Sequence, residues 1–226
     1  LKAVNDIMQD LSSNFPMDRL LVGDVGFGKT EVAMRAAFRV INSGFQVCVL
    51  VPTTILAQQH FATFQSRFAG FPVKVGLLSR FVTSKQARET LKQTQEGSID
   101  ILIGTHKLLQ QGVRFKKLGL LIIDEEHRFG VMHKEGLKQF YGSVDILSLS
   151  ATPIPRTLAM ALQGLRSISV LTTPPEDRLP VSTFAGVWNA AVIRKAIAYE
   201  LNRGGQVYFL SNKISRMPEH EKMLNA

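Results

Sequence analysis

The chain has 226 residues, of which 45% are hydrophobic and 20% are charged. This balance predicts a globular protein and excludes wholesale disorder. No apolar run approaches the roughly 18 residues that span a bilayer, and the N-terminal residues lack the order of a signal peptide, so we expect a cytoplasmic protein that uses no membrane. Lys and Arg outnumber Asp and Glu by 27 to 18, which suits either a polyanionic partner or an ordinary solvated surface. The single cysteine, Cys48, excludes an internal disulfide and is predicted to be a core thiol.

Short apolar runs alternate with helical stripes along the first 171 residues, which predicts an α/β fold with a mostly parallel sheet. The opening residues place their apolar side chains on one helical face, and the stripe over residues 29–42 predicts another helix. Strands are predicted at residues 19–23, 46–51, 73–77, 99–104, 118–124, 144–148 and 167–171.

The pattern stops at residues 172–181, where three prolines fall within seven residues and predict a linker. Beyond it the α/β pattern restarts, with a strand predicted at residues 182–188, a helix at 190–202 and a strand at 206–210. We therefore expect one complete domain over residues 1–171 and the truncated start of a second over residues 182–226.

The sequence GDVGFGKT at residues 23–30 fits the phosphate-binding loop pattern, with a strand before it and a helix after it. Gly23, Gly26 and Gly28 are expected to adopt positive φ and to let backbone N–H groups approach a phosphate. Lys29 would reach the β- and γ-phosphates, and the Thr30 hydroxyl would ligate Mg²⁺. The alternative is a glycine-rich turn that only links strand and helix. The expected nucleotide contacts are Gly23, Asp24, Val25, Gly26, Phe27, Gly28, Lys29 and Thr30.

The sequence DEEH at residues 124–127 follows a strongly apolar strand, at the end where open α/β sheets bind ligands. Asp124 would hold Mg²⁺, usually through water, and Glu125 would orient or deprotonate the attacking water. His127 fits a hydrogen-bonding relay better than a metal site, because no second histidine has metal-ligand spacing. A solvated acidic turn is the alternative.

These two segments resemble motif I and the D-E-x-H box of superfamily 2 helicases and translocases. Residues 52–59 (PTTILAQQ) resemble motif Ia, residues 104–106 (GTH) motif Ib and residues 150–152 (SAT) motif III. The motifs occur in the family's order, from about residue 19 to residue 152. The resemblance implies a RecA-like, P-loop NTPase domain that uses ATP and Mg²⁺, followed by the start of a second RecA-like domain.

Residues 23–38, 124–131, 151–158 and 204–208 are similar to the bacterial transcription-repair coupling factors, and RecG-type helicases share much of this pattern. The resemblance implies an ATP hydrolase that moves along double-stranded DNA and pushes stalled RNA polymerase off a lesion. RNA polymerase and excision-repair proteins would bind through parts of the protein outside this chain. The alternatives are a RecG-type fork-remodelling helicase, a phosphotransferase and a non-catalytic nucleotide-binding module.

The resemblance also assigns roles outside the nucleotide loop. Ser150, Ala151 and Thr152 would pass the nucleotide state to the DNA site. Arg156 is either a DNA-contacting or interdomain arginine or a plain surface residue, and the Pro52–Thr53 pair is equally a good turn from strand to helix. The expected contacts with the DNA backbone are Pro52, Thr53, Gly104, Thr105, His106 and Arg156.

Two parts of the family pattern fall outside the chain. An adenine-recognition motif would precede Leu1, and the motifs that carry arginine fingers would follow Ala226. Because an arginine finger can contribute about 10³ to 10⁵ in rate, we expect a fragment that binds nucleotide but hydrolyses ATP poorly by itself.

Overall fold

The computed structural model describes residues 2–109, 113–125, 144–151, 166–174 and 182–225. The chain separates into two compact units, Leu1–Arg178 and Leu179–Ala226. The boundaries predicted above, with a linker over residues 172–181, stay a prediction because most of that linker lies outside the described residues. Within the described ranges, no helix is both long and apolar enough to cross a membrane.

The first unit is a parallel sheet with helices on both faces, as the alternating pattern predicted. Seven strands pair in the order β3-β4-β2-β5-β6-β1-β7, and every pair is parallel. The strands are β1 (Asp18–Gly23), β2 (Gln46–Leu50), β3 (Val75–Leu78), β4 (Ile101–Gly104), β5 (Leu118–Asp124), β6 (Asp145–Ser150) and β7 (Ser167–Leu171). The helices are α1 (Lys2–Asp10), α2 (Lys29–Asn42), α3 (Thr54–Arg67) and α4 (Ser84–Glu96), with a 3₁₀ turn at His106–Leu109.

Side chains that alternate along each strand divide the core into two layers. On β2, Val47 and Val49 pack with α1, α2 and α3, whereas Cys48 and Leu50 pack on the opposite face, on the side of Ala87 and Leu91 of α4. Because both faces are covered, the central strands are apolar throughout rather than alternating. The alternation of side chains between the two faces also determines which helix the last residue of a strand can contact.

The carboxyl ends of all seven strands lie along one edge of the sheet, because the strands are parallel. From β4 to β1 this edge presents in turn the ends of β4, β2, β5, β6 and β1. Neighbouring strands lie about 4.8 Å apart. Segments far apart in sequence therefore meet within a few strand spacings, and we call this row of strand ends the carboxyl edge.

The second unit contains helix α5 (Ala190–Asn202), a 3₁₀ turn at Ile214–Arg216 and helix α6 (Met217–Asn225). The predicted helix at 190–202 is confirmed, and Asn189 caps it by accepting from the Ala191 and Val192 N–H groups.

The predicted strands at 182–188 and 206–210 were wrong. Neither segment pairs with a strand among the described residues, and most of their apolar side chains are exposed, Phe184 by 93% and Tyr208 by 97%. An apolar run forms a strand only beside a partner that takes its backbone hydrogen bonds.

Candidate nucleotide site and nucleic-acid edge

The loop between β1 and α2 has the backbone of an anion-binding loop. Gly26 and Gly28 have φ of 83° and 82°, the left-handed region that favours glycine. A Cβ built on either would have no atom within 4 Å. The space beside both glycines is therefore open to a ligand, and successive N–H groups of such a loop can face a phosphate.

The prediction that Gly23 needs positive φ was wrong, because Gly23 is not among the glycines in that region. Gly23 is the last residue of β1, and a Cβ there would come within 2.9 Å of the Leu171 Cβ on β7. Glycine is required at Gly23 by close packing between strands. Only the later two glycines shape the loop.

Lys29, the first residue of α2, folds back over this loop. Its Nζ donates to the Gly23 carbonyl at 2.6 Å and to the Asp24 carbonyl at 2.9 Å. Burial lowers the pKa of the Lys29 ammonium, while the nearby carboxylates of Asp124, Glu125 and Asp24 act in the opposite direction. Lys29 is thus close to Asp124 and Glu125 as well as to the loop, as a shared site for nucleotide phosphates requires.

The start of α2 offers further donors to an anion. Gly28 is the N-cap and has no side chain to cap the helix, so within the described residues no side chain caps the first N–H groups. The helix dipole adds partial positive charge at the same point. Thr30, in the first turn, is partly exposed, which leaves its hydroxyl available to a ligand.

Asp124 and Glu125 lie at the carboxyl end of β5. Leu120 and Ile122 on the same strand pack with the layer that contains α3, so Asp124, two residues further on, faces that layer as well. Asp124 Oδ1 accepts from the Glu125 N–H at 2.9 Å. Glu125 has φ of 53°, the one positive φ of a non-glycine residue in the described ranges, and such conformations concentrate at functional sites.

His60 of α3 is a residue that the sequence did not single out. Its Nε2 lies 2.8 Å from Asp124 Oδ2, so α3 contacts the acidic segment directly. The two residues are 64 positions apart. The alternation of side chains along β5 and the buried face of α3 could have suggested that His60 meets Asp124. That inference needs the strand order, which the sequence does not give. The proposed relay residue, His127, lies outside the described residues.

The segment predicted to couple the two sites begins between them. Ser150 is the buried last residue of β6, and β6 lies between β1 and β5. Ser150 pairs in register with Val22 of β1, and Leu149 with Asp124 of β5. Ser150 and the following Ala151 thus stand between the phosphate loop and Asp124, whereas Thr152 lies outside the described residues.

Pro52 and Thr53 follow β2, next to β5 on the carboxyl edge. Thr53 is the N-cap of α3, because its Oγ1 accepts from the Leu56 N–H at 3.2 Å. The prediction of a strand-to-helix turn is confirmed here. The predicted DNA contact is compatible with this geometry, because Pro52 and Thr53 are both partly exposed.

Gly104 is the last residue of β4, one strand further along the edge, and Thr105 and His106 follow it. A Cβ at Gly104 would collide with the Leu78 carbonyl oxygen, so glycine is required there for packing. Thr105 is 3% exposed, whereas His106 is exposed. Among the three residues, His106 therefore presents the side chain that a nucleic acid could reach. Arg156 lies outside the described residues.

Five described basic residues that flank the strands of the first unit lie at two different edges of the sheet. Arg80 follows β3 and Lys107 follows β4, so both lie at the carboxyl edge. Lys74 precedes β3, and Lys116 and Lys117 precede β5, which places them at the opposite edge. Of these five described residues, Arg80 and Lys107 are therefore the two that lie at the carboxyl edge.

Arg67, at the end of α3, is engaged within the protein. Its guanidinium donates to both carboxylate oxygens of Glu31, at 3.1 and 3.2 Å, and Arg35 donates to the same carboxylate. These bonds, that of Arg67 first, lower the pKa of Glu31. The cluster is an intramolecular contact that joins α2 to α3.

Known proteins are similar to this chain over nearly its whole length. A transcription-repair-coupling factor of Bacillus subtilis is 58% identical over 214 residues, and one of Escherichia coli is 54% identical over 223 residues. The alignments cover 95% and 99% of this chain but 18% and 19% of those relatives, so the chain spans about a fifth of their length. A solved structure of RecG bound to a three-way DNA junction matches with a TM-score of 0.81 and 38% identity, over 99% of this chain and 30% of that one.

A family model described as DEAD/DEAH box helicase matches residues 2–161, which include the phosphate loop, Asp124 and Glu125. This match covers most of the chain, and the parallel sheet with flanking helices is also the fold of the matched RecG structure. The chain belongs to the DEAD/DEAH box helicase family.

Proposed function

We propose that this chain is the ATP-binding motor domain of a double-stranded DNA translocase that acts in transcription-coupled repair and displaces stalled RNA polymerase. The observation that carries the proposal is the order of segments along the carboxyl edge. Five segments lie at or directly after the carboxyl ends of five successive strands, β1, β6, β5, β2 and β4. In that order they are the phosphate loop, Ser150, Asp124, Pro52–Thr53 and Gly104–His106. A nucleotide and a nucleic acid bound at these ends would be neighbours.

The residues at the β1 end fit a nucleotide with Mg²⁺. The open space beside Gly26 and Gly28, the uncapped start of α2 and the Lys29 ammonium all suit phosphate oxygens. Among the described residues, no cluster of three or more His, Cys, Asp or Glu could hold a metal ion. Mg²⁺ does not require one, since it is usually held by one or two carboxylates, water and the substrate's own phosphates. Thr30 and Asp124 are the residues proposed to hold it.

Each residue then has a defined task. Lys29 exchanges its bonds to the Gly23 and Asp24 carbonyls for bonds to the β- and γ-phosphates. Glu125 orients the attacking water and accepts its proton. Bound Mg²⁺ neutralises negative charge on the phosphates. Pro52, Thr53 and His106 contact the DNA backbone, which positions the motor without selecting a sequence.

The test is steady-state ATP hydrolysis by the full-length protein, with and without duplex DNA. We expect duplex DNA to stimulate turnover in the wild type. Lys29→Ala should lower turnover by about 100-fold or more through loss of phosphate contacts, and Glu125→Gln by about 10² to 10⁴ with nucleotide binding retained. Lys92→Ala, which removes an exposed charge on α4, is the matched control and should match wild type. A wild-type rate of ATP hydrolysis that does not change on addition of duplex DNA would contradict the proposal.

A RecG-type fork-remodelling activity is the second candidate, because a RecG structure bound to a three-way DNA junction matches nearly the whole chain. The two functions differ in their substrate. A translocase of transcription-coupled repair releases RNA polymerase stalled on a linear duplex in an ATP-dependent reaction. A fork-remodelling enzyme instead unwinds three-way junctions under the same conditions and leaves the stalled polymerase in place.

A further inference from the structure

We propose that His60 is a positioning residue for Asp124. Through His60, helix α3 links the proposed DNA contact at Pro52–Thr53 to the carboxylate that would hold Mg²⁺. This inference rests on the proposed function, which makes Asp124 a Mg²⁺ ligand. It adds a residue outside the DEEH segment to the nucleotide site. The observation that carries it is the 2.8 Å contact between His60 Nε2 and Asp124 Oδ2.

The contact is well shielded from water. The His60 side chain is 9% exposed and that of Asp124 is 14% exposed. A carboxylate oxygen can only accept, so the shared proton lies on Nε2. Within the described part of the chain, the buried Nδ1 has no hydrogen-bond partner. Among these residues, the one hydrogen bond of the ring is therefore the bond to Asp124. Packing alone would not require that bond.

The bond completes the orientation of the Asp124 carboxylate. Oδ1 accepts from the Glu125 N–H and Oδ2 accepts from His60, so one donor holds each oxygen. Rotation of the carboxylate would break both bonds. Each oxygen keeps a further lone-pair direction for a metal-bound water. Partners of this kind, which orient a metal ligand without touching the metal, commonly change metal affinity or activity by about 10- to 100-fold when removed.

The helix that carries His60 starts at the proposed DNA contact. Thr53 caps α3, and His60 lies seven residues further on, which is about 10 Å along a helix at 1.5 Å per residue. Ala57, His60 and Phe64 form the buried face of this helix, so the segment between cap and histidine is packed on one side. Because α3 is one continuous helix from the Thr53 cap to His60, a nucleic acid that moves this helix through Pro52–Thr53 would also move the donor to Asp124.

A purely structural role would make His60 one more packed ring on α3. Its ring centroid lies 6.1 Å from that of Phe64, which is fully buried one turn further on and is not bonded to Asp124. Phe64→Leu is consequently the matched control, because it disturbs the same buried face and leaves the carboxylate bonds intact. Both roles predict lost stability on substitution, and only the positioning role predicts altered metal dependence.

The experiment compares His60→Gln with His60→Asn in the full-length protein. Both amides keep polarity, but only glutamine places a nitrogen donor as far from Cβ as the histidine Nε2. The first readout is binding of a fluorescent ADP analogue, titrated with Mg²⁺. We expect His60→Asn to raise the Mg²⁺ concentration at half-saturation by about 10-fold. His60→Gln should stay within about threefold of wild type, Phe64→Leu should match wild type, and affinity without Mg²⁺ should not change in any variant.

The second readout is ATP turnover with and without duplex DNA. His60→Asn should lower kcat by about 10-fold or more, with KM for ATP little changed, and should reduce the stimulation by DNA. Mg²⁺ titrations of His60→Asn that overlay wild type, or that shift as much for Phe64→Leu, would overturn the positioning role. Unchanged DNA stimulation in His60→Asn would overturn the link through α3. Failure of the proposed function can be distinguished from failure of the His60 inference. The former would appear as absent DNA stimulation in the wild type, whereas the Mg²⁺ titration tests the role of His60 in either case.

Discussion

Gln46, the first residue of β2, allows a sharp prediction about what holds the sheet together. Its buried amide makes four hydrogen bonds to backbone groups of three other segments. Nε2 donates to the Thr94 carbonyl at 2.9 Å and to the Ile99 carbonyl at 2.6 Å. Oε1 accepts from the N–H groups of Lys116 and Lys117 at 2.8 and 3.0 Å. One side chain thus joins the end of α4, the approach to β4 and the approach to β5.

Replacement by methionine removes these bonds while nearly conserving volume, so the effect of a cavity is small. Each hydrogen bond contributes about 1 kcal/mol net, and the two carbonyls lose their amide donor in a buried location. The two N–H groups are only partly buried and can bind water. We therefore expect Gln46→Met to lower the free energy of unfolding by about 2 to 4 kcal/mol.

The assay is urea unfolding followed by circular dichroism. Gln46→Glu provides an internal check, because its carboxylate can accept from Lys116 and Lys117 but repels the carbonyls of Thr94 and Ile99. Burial and those carbonyls should raise the pKa of the introduced carboxyl. Its stability deficit should therefore be largest near pH 8 and should shrink as the pH falls through that raised pKa. A loss below about 1 kcal/mol in Gln46→Met, or a deficit in Gln46→Glu that grows at low pH, would contradict this role of the Gln46 amide.

Three further predictions concern the core and the carboxyl edge. Burial raises the pKa of the Cys48 thiol to about 12, so the folded protein should resist thiol reagents at pH 8 and react with them in denaturant. Because the unfolded thiol loses its proton near pH 9 and the folded one does not, the free energy of unfolding should fall as the pH rises above about 9. Gly104→Ala should cost about 1 to 3 kcal/mol in urea unfolding, because its Cβ would collide with the Leu78 carbonyl oxygen; an unchanged midpoint would contradict this packing. If Arg80 and Lys107 each contact one phosphate, raising salt from ~50 to ~200 mM should weaken duplex binding roughly tenfold, and a flat titration would exclude such contacts.

Local features of the sheet and the phosphate loop could be predicted because each depends on a few neighbouring residues. The stripe over residues 29–42 gave helix α2 with the bounds observed, and Gly26 and Gly28 were correctly expected at positive φ. Gly23 was expected to need positive φ, but the need for glycine there comes from close packing against Leu171, which is 148 positions away. A contact of that kind follows from strand order, which spacing along the sequence does not give.

The same limit explains the residues that the sequence did not reveal. His60 meets Asp124 only because α3 covers the face of the sheet to which β5 directs that carboxylate. Gln46 joins three segments that are adjacent only in the folded sheet. The strands predicted in the second unit failed for a related reason. Their apolar residues fit a strand, but no described strand lies beside them to accept their hydrogen bonds.

We propose above that nucleotide and duplex DNA bind to one edge of the sheet, and we expect the two ligands to be coupled. The most direct test is the affinity of full-length Glu125→Gln protein for duplex DNA without nucleotide, with ADP and with Mg²⁺ and ATP, because this variant should bind ATP without consuming it. We predict that the bound nucleotide changes DNA affinity by at least about fivefold, and that DNA changes nucleotide affinity by the same factor. DNA affinity that is identical in all three nucleotide states would contradict the account.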